Sequence, residues 1–318
     1  MTQTLFDQLP QLQAELAAVE DLLQAELRGG NAIQQAAGAL VLGGGKRLRP
    51  AMVLAAAFCG GYDPRTALPT AAAIEVLHAA TLAHDDVVDE AGTRRGKPTL
   101  HHAHGNHVAI YAGDYLLAKA MKLLSRSDLP TAEVHRVSAA IETLCMGEVA
   151  QYLGRGAVPG LREYLKRILG KTGVLFAAAC AIGARCGKLP DEHIDHLWKA
   201  GLRFGAAFQI RDDLLDVERD AAAGKPTAHD LLEGVVTLPV LLAAQDAAYR
   251  LSLEGFLHGQ RDKTAAVGLL ERARQLGGNT QTRAMLAAQL DRGEQHLRKL
   301  PDSPGRAMLL SINGMLRQ

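Results

Sequence analysis

A polar stripe along one predicted helix constrains the fold of this chain more than any other sequence feature. The segment from Thr70 to Asp89 contains neither Gly nor Pro and is rich in Ala, Leu and Val. Polar side chains recur at His78, Thr81, Asp85 and Asp89, and this spacing places all four in one narrow sector of an α-helix. At 1.5 Å per residue the stripe is about 16 Å long. Because the positions around it are apolar, this helix is predicted to pack inside a larger helical assembly.

The two carboxylates that end this stripe favour a bound cation. Asp85 and Asp89 lie one turn apart, and like charges at this spacing repel each other by about 0.2–0.5 kcal/mol on a solvated helix. The repulsion grows where water is scarce. All-oxygen ligands suit Mg²⁺, which binds through one or two carboxylates, retained waters and substrate phosphates. For one such motif alone, a solvated face of an amphipathic helix remains an equal alternative.

A second copy of the motif favours metal binding. Asp212 and Asp216 repeat the spacing inside another predicted helix, and Gln209 lies one turn before Asp212. Two acidic faces of this kind, meeting across a helical bundle, would hold two or three divalent ions around a diphosphate. Asp86 and Asp213 lie off the stripes and are predicted to support the metal ligands from behind.

The remaining sequence predicts an all-α fold, because no strand-like alternation bounded by hairpin turns interrupts the helical pattern. With only 4% aromatic residues, the helices are expected to pack closely through Ala, Leu and Val. We predict one domain, residues 1–318, built as a bundle of about ten to thirteen helices around a central cavity. The predicted helices span 5–27, 32–41, 50 to about 60, 68–89, 106–124, 131–153, 161–186, 191–217, 237–247, 263–276, 280–299 and 304–316.

Composition excludes several functional classes. A net charge of +1 argues against nucleic-acid binding and against a polybasic membrane surface. The four cysteines lack CxxC spacing and indicate neither a zinc site nor a disulfide framework. No uninterrupted apolar run reaches 18 residues and the N-terminus lacks the pattern of a signal peptide, so we expect no stable membrane span and a cytoplasmic protein.

Several ordered motifs resemble those of the trans-isoprenyl diphosphate synthases, the polyprenyl synthetase family. The resemblance extends from Gly43 to about Ala243, with a looser echo near Pro304. The motifs that carry it are Gly44–Pro50, Asp85–Asp89 with Arg94–Thr99, Gly113–Leu117, Lys171 with Thr172, and Phe208–Asp216 with Gly224 and Lys225.

The resemblance implies a Mg²⁺-dependent prenyltransferase that condenses isopentenyl diphosphate with an allylic diphosphate. It also implies a homodimer. The implied ligands of two or three Mg²⁺ ions are Asp85, Asp89, Asp212 and Asp216. Isopentenyl diphosphate is assigned to Lys46, Arg49, His78 and Arg95. The allylic diphosphate is assigned to Arg94, Lys171, Thr172, Gln209 and Lys225, of which Lys171, Thr172 and Gln209 are the catalytic candidates.

The loop Gly43–Arg49 also suits phosphate on physical grounds, because it joins a flexible glycine backbone to three cations. It is not a Walker A loop, since Arg47 follows the lysine where Ser or Thr is needed. Gly170-Lys171-Thr172 lacks the earlier glycine of that motif, because position 165 is Leu. A P-loop nucleotidase is therefore disfavoured.

Two features bear on the product, namely the small residues one turn before Asp85 and the absence, inside the first aspartate motif, of the two extra residues that some bacterial short-chain members of the family have. The small residues one turn before Asp85 are Ala80 and Thr81. Small residues at this position resemble those of family members that make products longer than farnesyl diphosphate. The resemblance favours a long-chain quinone side-chain precursor, with geranylgeranyl diphosphate as the alternative.

Val235 occupies a position where the family often has lysine, so one expected phosphate contact is missing.

Two other functional classes are alternatives. A non-catalytic subunit of a heteromeric prenyl synthase would keep the fold without the chemistry, and the intact aspartate motifs argue against it. A class I terpene cyclase would have a second motif ending in Glu, whereas here it ends in Asp216.

Overall fold

The structure is built almost entirely of α-helices, which confirms the predicted all-α class. A computed structural model describes residues 6–94, 96–222 and 228–317. Within them the helices are α1 (Pro10–Leu27), α2 (Ala32–Leu42), α3 (Leu48–Ala57), α4 (Pro64–Val88), α5 (Leu100–His104), α6 (Asn106–Ser125), α7 (Thr131–Leu153), α8 (Leu161–Ile168), α9 (Val174–Cys186), α10 (Asp191–Ala222), α11 (His229–Leu232), α12 (Leu238–Ala243), α13 (Ala247–His258), α14 (Lys263–Gln275), α15 (Gly278–Leu297) and α16 (Pro304–Arg317). A π turn, Leu169–Gly173, lies between α8 and α9, and a hairpin of β1 (Thr93–Arg94) and β2 (Lys97–Pro98) precedes α5.

Most predicted helix bounds agree with the structure within a few residues, and the exceptions have local causes. Helix α4 begins at Pro64 because the Asp63 side chain accepts a hydrogen bond from the backbone N–H of Arg65 at 3.0 Å. Pro69 therefore lies inside the helix, and its predicted place in the first turn was wrong. Helix α13 was not predicted; Asp246 caps it by accepting from the N–H of Tyr249 at 2.8 Å. The described helices number sixteen, above the predicted ten to thirteen, because α5, α11 and α13 were not predicted and the π turn divides the predicted helix 161–186 into α8 and α9.

The helices pack as two compact units. The first contains the described residues up to Val137, together with Ala179–Leu197 and Lys299–Ser311. The second contains Ser138–Ala178, Trp198–Arg298 and the described residues from Ile312 onward. The single domain and its central cavity stay predictions.

Helix α4 is the core of the first unit. It packs against α6, α3 and α1, and Ala71, Ala72 and Ala73 have no exposed surface. Gly113 lets α6 approach α4 closely, because a Cβ at this position would lie 2.3 Å from the His84 ring nitrogen Nε2. Small side chains thus hold the polar stripe of α4 on a rigid, buried helix.

In the second unit, glycines bring neighbouring helices against the π turn. A Cβ on Gly147 of α7 would lie 2.6 Å from the backbone nitrogen of Lys171. A Cβ on Gly205 of α10 would lie 2.5 Å from the Cα of Gly173. The π turn is therefore enclosed by backbone on two sides.

Two helical stretches, Pro64–Val88 and Leu161–Cys186, are long and apolar enough to cross a membrane by length and composition. The windows that meet this test are 67% and 78% buried within the protein. Burial of this kind is typical of core helices.

Candidate active site

The polar stripe predicted on α4 is present in the structure. His78, Thr81 and Asp85 are partly exposed, whereas the alanines between them are buried. Asp89 follows the last residue of α4, and its N–H donates to the Asp85 carbonyl at 2.8 Å. Both carboxylates thus lie at the carboxyl end of the helix, where the helix dipole adds partial negative charge. The two carboxylates and the helix dipole therefore both favour a bound cation there.

The middle aspartate of the first motif has a different environment. Asp86 is 1% exposed, and its Oδ1 accepts from Nε and Nη2 of Arg94 at 2.8 and 2.7 Å. Its other oxygen, Oδ2, is buried without a hydrogen bond in the described part of the chain. The Arg94 side chain remains 35% exposed. Asp86 therefore holds Arg94, the predicted allylic diphosphate ligand, while about a third of the Arg94 side chain stays exposed.

The second motif has the same division between its aspartates. Asp212 is partly exposed and Asp216 is exposed, whereas Asp213 is 5% exposed. Asp213 accepts from the Tyr164 hydroxyl at 2.7 Å, from Gln209 Nε2 at 3.0 Å and from the Leu238 N–H at 3.0 Å. Burial raises the pKa of Asp213 even so. In both motifs the outer aspartates are at least partly exposed and the middle one is buried, as expected if the middle one supports the site.

The π turn carries two of the predicted catalytic residues. Thr172 Oγ1 donates to Gln209 Oε1 at 2.9 Å, so the structure brings these two candidates together. Lys171 Nζ donates to Glu148 Oε2 at 2.8 Å, and each of these side chains is about one quarter exposed. The sequence had not singled out Glu148. One-turn π bulges are frequent at functional sites, which fits the candidates found here.

The three cations of the loop after α2 separate into different environments. Lys46 is exposed and Arg49 is partly buried in the first turn of α3. Arg47 instead bonds to both carboxylate oxygens of Glu20, to Glu75 at 2.7 Å and to the Val41 carbonyl at 2.9 Å. Burial alone would lower the pKa of Arg47, but the bonds to these glutamates raise it.

Arg47 therefore links α1 and α4 through its ion pairs with Glu20 and Glu75. Its inclusion among three phosphate-binding cations was wrong, because its donors are already occupied by carboxylates. Lys46 and Arg49 stay predicted ligands of isopentenyl diphosphate.

The carboxyl group of Asp230 is affected by the charges of the second aspartate motif. Burial, with the negative charges of Asp216 and Asp213, raises the pKa of Asp230 to about 7. Asp230 belongs to α11, and the sequence analysis did not predict it as a site residue. A cation bound at Asp216 would favour the ionised form of Asp230.

In the described ranges, no three His, Cys, Asp or Glu side chains are gathered as a metal site. Pairs of carboxylates are what Mg²⁺ uses when waters and substrate phosphates complete its shell. The donor sets at Asp85 with Asp89, and at Asp212 with Asp216, fit that chemistry by oxygen type and by spacing.

Comparison with known proteins identifies the family. The sequence profile of the polyprenyl synthetase family matches residues 31–271. The chain belongs to the polyprenyl synthetase family. This confirms the predicted resemblance and, at the level of the family, a prenyltransferase that makes polyprenyl diphosphates.

Individual members of the polyprenyl synthetase family match nearly the whole chain. It is 35% identical over 305 residues to heptaprenyl diphosphate synthase component 2 of Geobacillus stearothermophilus, covering 95% of this chain and 94% of that one. It is 36% identical over 307 residues to nonaprenyl diphosphate synthase of Mycobacterium tuberculosis, covering 95% and 91%. The solved structure of geranylgeranyl pyrophosphate synthase from Lactobacillus brevis superposes with a TM-score of 0.91 at 30% identity, covering 99% of each chain.

Two residues that the resemblance assigns to substrate, Arg95 and Lys225, lie outside the described residues. Their roles stay predictions. Val235, at the position where the polyprenyl synthetase family often has lysine, is partly buried in the segment between α11 and α12.

Gly147 provides a test of the π turn in this polyprenyl synthetase. Gly147→Ala is expected to destabilise the protein by about 1–3 kcal/mol, because the new Cβ overlaps backbone. It should also lower turnover by up to roughly 100-fold, since Lys171 and Thr172 are displaced. Thermal unfolding and steady-state rates measure the two effects.

Gly255→Ala is the matched control, because a Cβ at this position in α13 would meet nothing within 4 Å. It is expected to be neutral or slightly stabilising, since Ala is the better helix former. Equal turnover in the two variants would contradict the role given to the enclosed π turn.

Proposed function

We propose that this chain is a long-chain all-trans polyprenyl diphosphate synthase. The observation that carries the proposal is the common design of the two aspartate motifs, each with outer carboxylates that are at least partly exposed and a middle carboxylate that is buried. The pairing of Thr172 with Gln209 supports it, as do relatives named for heptaprenyl and nonaprenyl products.

Mg²⁺ is the proposed cofactor, held by Asp85 and Asp89 and by Asp212 and Asp216 as two or three ions. When bound, it would neutralise the departing diphosphate as a Lewis acid. Arg94, placed by Asp86, would bind the same diphosphate, and its planar fork matches phosphate oxygens.

The carbocation left by diphosphate departure needs negative dipoles and no nucleophile. The Thr172 hydroxyl donates a hydrogen bond to Gln209 Oε1, so the lone pairs of the hydroxyl oxygen remain directed elsewhere. The oxygens of Thr172 and Gln209 would then stabilise the cation electrostatically. The double bond of isopentenyl diphosphate attacks the cation, the new carbon–carbon bond forms, and a proton is lost, with diphosphate as the base. No covalent enzyme intermediate is involved.

The direct test is product analysis. Purified protein is incubated with isopentenyl diphosphate, Mg²⁺ and dimethylallyl, geranyl, farnesyl or geranylgeranyl diphosphate, and the dephosphorylated products are sized by chromatography. Chains of six or more isoprene units are expected, with no product after chelation of the metal. A ladder ending at geranylgeranyl diphosphate would favour the alternative suggested by the solved structure from L. brevis.

A homodimer in the cytoplasm is the proposed state. In the first unit, Ile110 and Tyr111 of α6 are 41% and 60% exposed, and in the second unit Tyr152 and Leu153 of α7 are 59% and 76% exposed. Large apolar side chains exposed in this way are typical of interfaces. A second copy of the chain is the proposed partner, and sedimentation of the purified protein is expected to give twice the chain mass.

One relative is named component 2 of its synthase, so a heteromeric enzyme is the second candidate. The same product assay distinguishes the two. Activity of the purified chain alone favours the homodimer, whereas activity only after a second protein is added favours the heteromer.

The basic residues are expected to divide between two substrates. Lys46→Ala should raise the KM for isopentenyl diphosphate by roughly tenfold or more, because a charge-assisted hydrogen bond is lost. Lys171→Ala should do the same for the allylic substrate. The two sets proposed are Lys46, Arg49 and Arg95 for the first, and Arg94, Lys171 and Lys225 for the second.

Lys166→Ala, at an exposed position of α8, is the matched control and should change neither KM. KM reports affinity only when chemistry is slow, so single-turnover rates accompany the measurement. Equal changes in both constants from both sets would contradict the division.

A further inference from the structure

A buried hydrogen-bond cluster lies behind the Thr172–Gln209 pair. Tyr164 is 1% exposed and Asp213 is 5% exposed. Tyr164 and the Leu238 N–H both donate to Asp213 Oδ2, while Gln209 donates to Oδ1. Oδ2 thus receives donors from α8 and from the start of α12, and Oδ1 receives a donor from the preceding turn of α10, the helix that carries Asp213.

These donors determine which way the Gln209 amide points. Oδ1 of Asp213 is the acceptor in its contact with Gln209, and a side-chain amide donates only through its nitrogen, so the end of the amide that faces Asp213 is the NH₂ group. The amide oxygen is then turned toward Thr172, whose hydroxyl donates to it at 2.9 Å. If the amide were reversed, its oxygen would face the Asp213 carboxylate, and a second acceptor there would be repelled.

The ring of Tyr164 is held in place by contact with Arg167. The guanidinium of Arg167 lies 5.4 Å from the centre of the Tyr164 ring, and Nη2 of Arg167 donates to the Val236 carbonyl at 3.0 Å. Leu238, the first residue of α12, follows closely in the chain. The phenol is therefore held between α10 and the entry to α12, with its hydroxyl as the polar contact to Asp213.

We propose that Tyr164 and Asp213 are positioning residues that fix the amide of Gln209, so that the oxygens of Gln209 and Thr172 are presented together to the developing allylic cation. The inference rests on the proposed function and deepens it. Neither residue touches the substrate; each acts through Gln209. Loss of the Tyr164 hydroxyl leaves Asp213 short of one donor and frees the amide to turn.

Tyr164→Phe tests this, because it removes one hydroxyl and keeps the ring. We expect kcat to fall by roughly tenfold, the scale of one hydrogen bond in a dry site, with both KM values within about twofold. Tyr249→Phe is the matched control. Tyr249 is 2% exposed and its hydroxyl donates to the Leu269 carbonyl at 3.1 Å, in contact with α14. The two variants should lose similar thermal stability, and only Tyr164→Phe should lose turnover.

A double-mutant cycle separates positioning from general structural damage. In a Gln209→Ala background, Tyr164→Phe should have no further effect on kcat. In a Lys171→Ala background its tenfold effect should persist. If Tyr164→Phe is poorly folded, Asp213→Asn, which keeps the volume and reverses part of the hydrogen bonding, is measured in the same cycle with the same expectation.

Additive effects in the Gln209→Ala background, or an equal loss of kcat from Tyr249→Phe, would overturn the inference while wild-type activity left the proposed function standing. Wild-type protein without prenyltransferase activity would overturn both. A rise in either KM larger than the fall in kcat would show that the cluster serves substrate binding and would also overturn the inference.

Discussion

Asp85→Ala and Asp212→Ala are each expected to lower turnover by roughly 10²–10³-fold or more, the cost of losing one preorganised electrostatic contact to developing charge. Each change removes one of a pair of at least partly exposed carboxylates, so the cation at that motif would lose a ligand while the diphosphate keeps its full negative charge. The rate is measured as allylic product formed in saturating Mg²⁺. Far-UV circular dichroism should remain unchanged, because both side chains are at least partly exposed.

Glu271→Ala is the control for these two variants. Glu271 is an exposed carboxylate on α14, and its removal should leave turnover within about twofold of wild type, as expected of a surface substitution. Near-normal turnover of Asp85→Ala or of Asp212→Ala would show that the cation is held elsewhere.

The second large effect concerns the product. Thr81→Phe and Ala80→Phe are expected to shorten the product while allowing the first condensation, because an aromatic ring beside the growing chain fills the space it needs. Thr81 is partly exposed and lies roughly 40° from Asp85 around α4, whereas Ala80 is 3% exposed. We therefore expect the stronger effect from Thr81→Phe. Ala80→Phe should shorten the product at an added cost of about 1–3 kcal/mol in stability from overpacking.

Ala79→Phe provides the comparison, since Ala79 is 5% exposed on the same helix. It should cost similar stability and leave the product ladder unchanged. Wild-type protein that releases only farnesyl diphosphate, or an unchanged product ladder in Thr81→Phe and Ala80→Phe, would show that other residues limit the product length.

The parts of the site that follow from local spacing were predictable from sequence. Helical periodicity predicted α4 apart from its first turn, and the four-residue spacing within each aspartate motif separated the partly or fully exposed carboxylates from the buried ones. Contacts between distant segments were not predictable. Tyr164 and Asp213 are 49 residues apart, and no local pattern marks their hydrogen bond. Asp86 and Arg94 are only eight residues apart, but their pairing depends on the hairpin of β1 and β2.

Charge type also failed as a guide to role. Lys46 and Arg47 are adjacent cations, and the sequence treats them alike. The structure separates them because Arg47 has positive φ, at 48°, and faces Glu20 and Glu75. The π turn gave no signal beyond the glycines at 170 and 173. The missed helix α13 did have signals, namely a capping aspartate and a terminal glycine.

The π turn has a consequence for how lengths of related chains are compared. It is equivalent to one surplus residue inside an otherwise continuous helix, because each residue of the turn bonds five positions away in place of four. Deleting that residue would let α8 and α9 join in normal register, each keeping its own buried face. Such a deletion is expected to preserve the helices and to abolish the pairing of Thr172 with Gln209. A related sequence that is one residue shorter at this point is therefore expected to keep the helical fold and to lack the catalytic pairing.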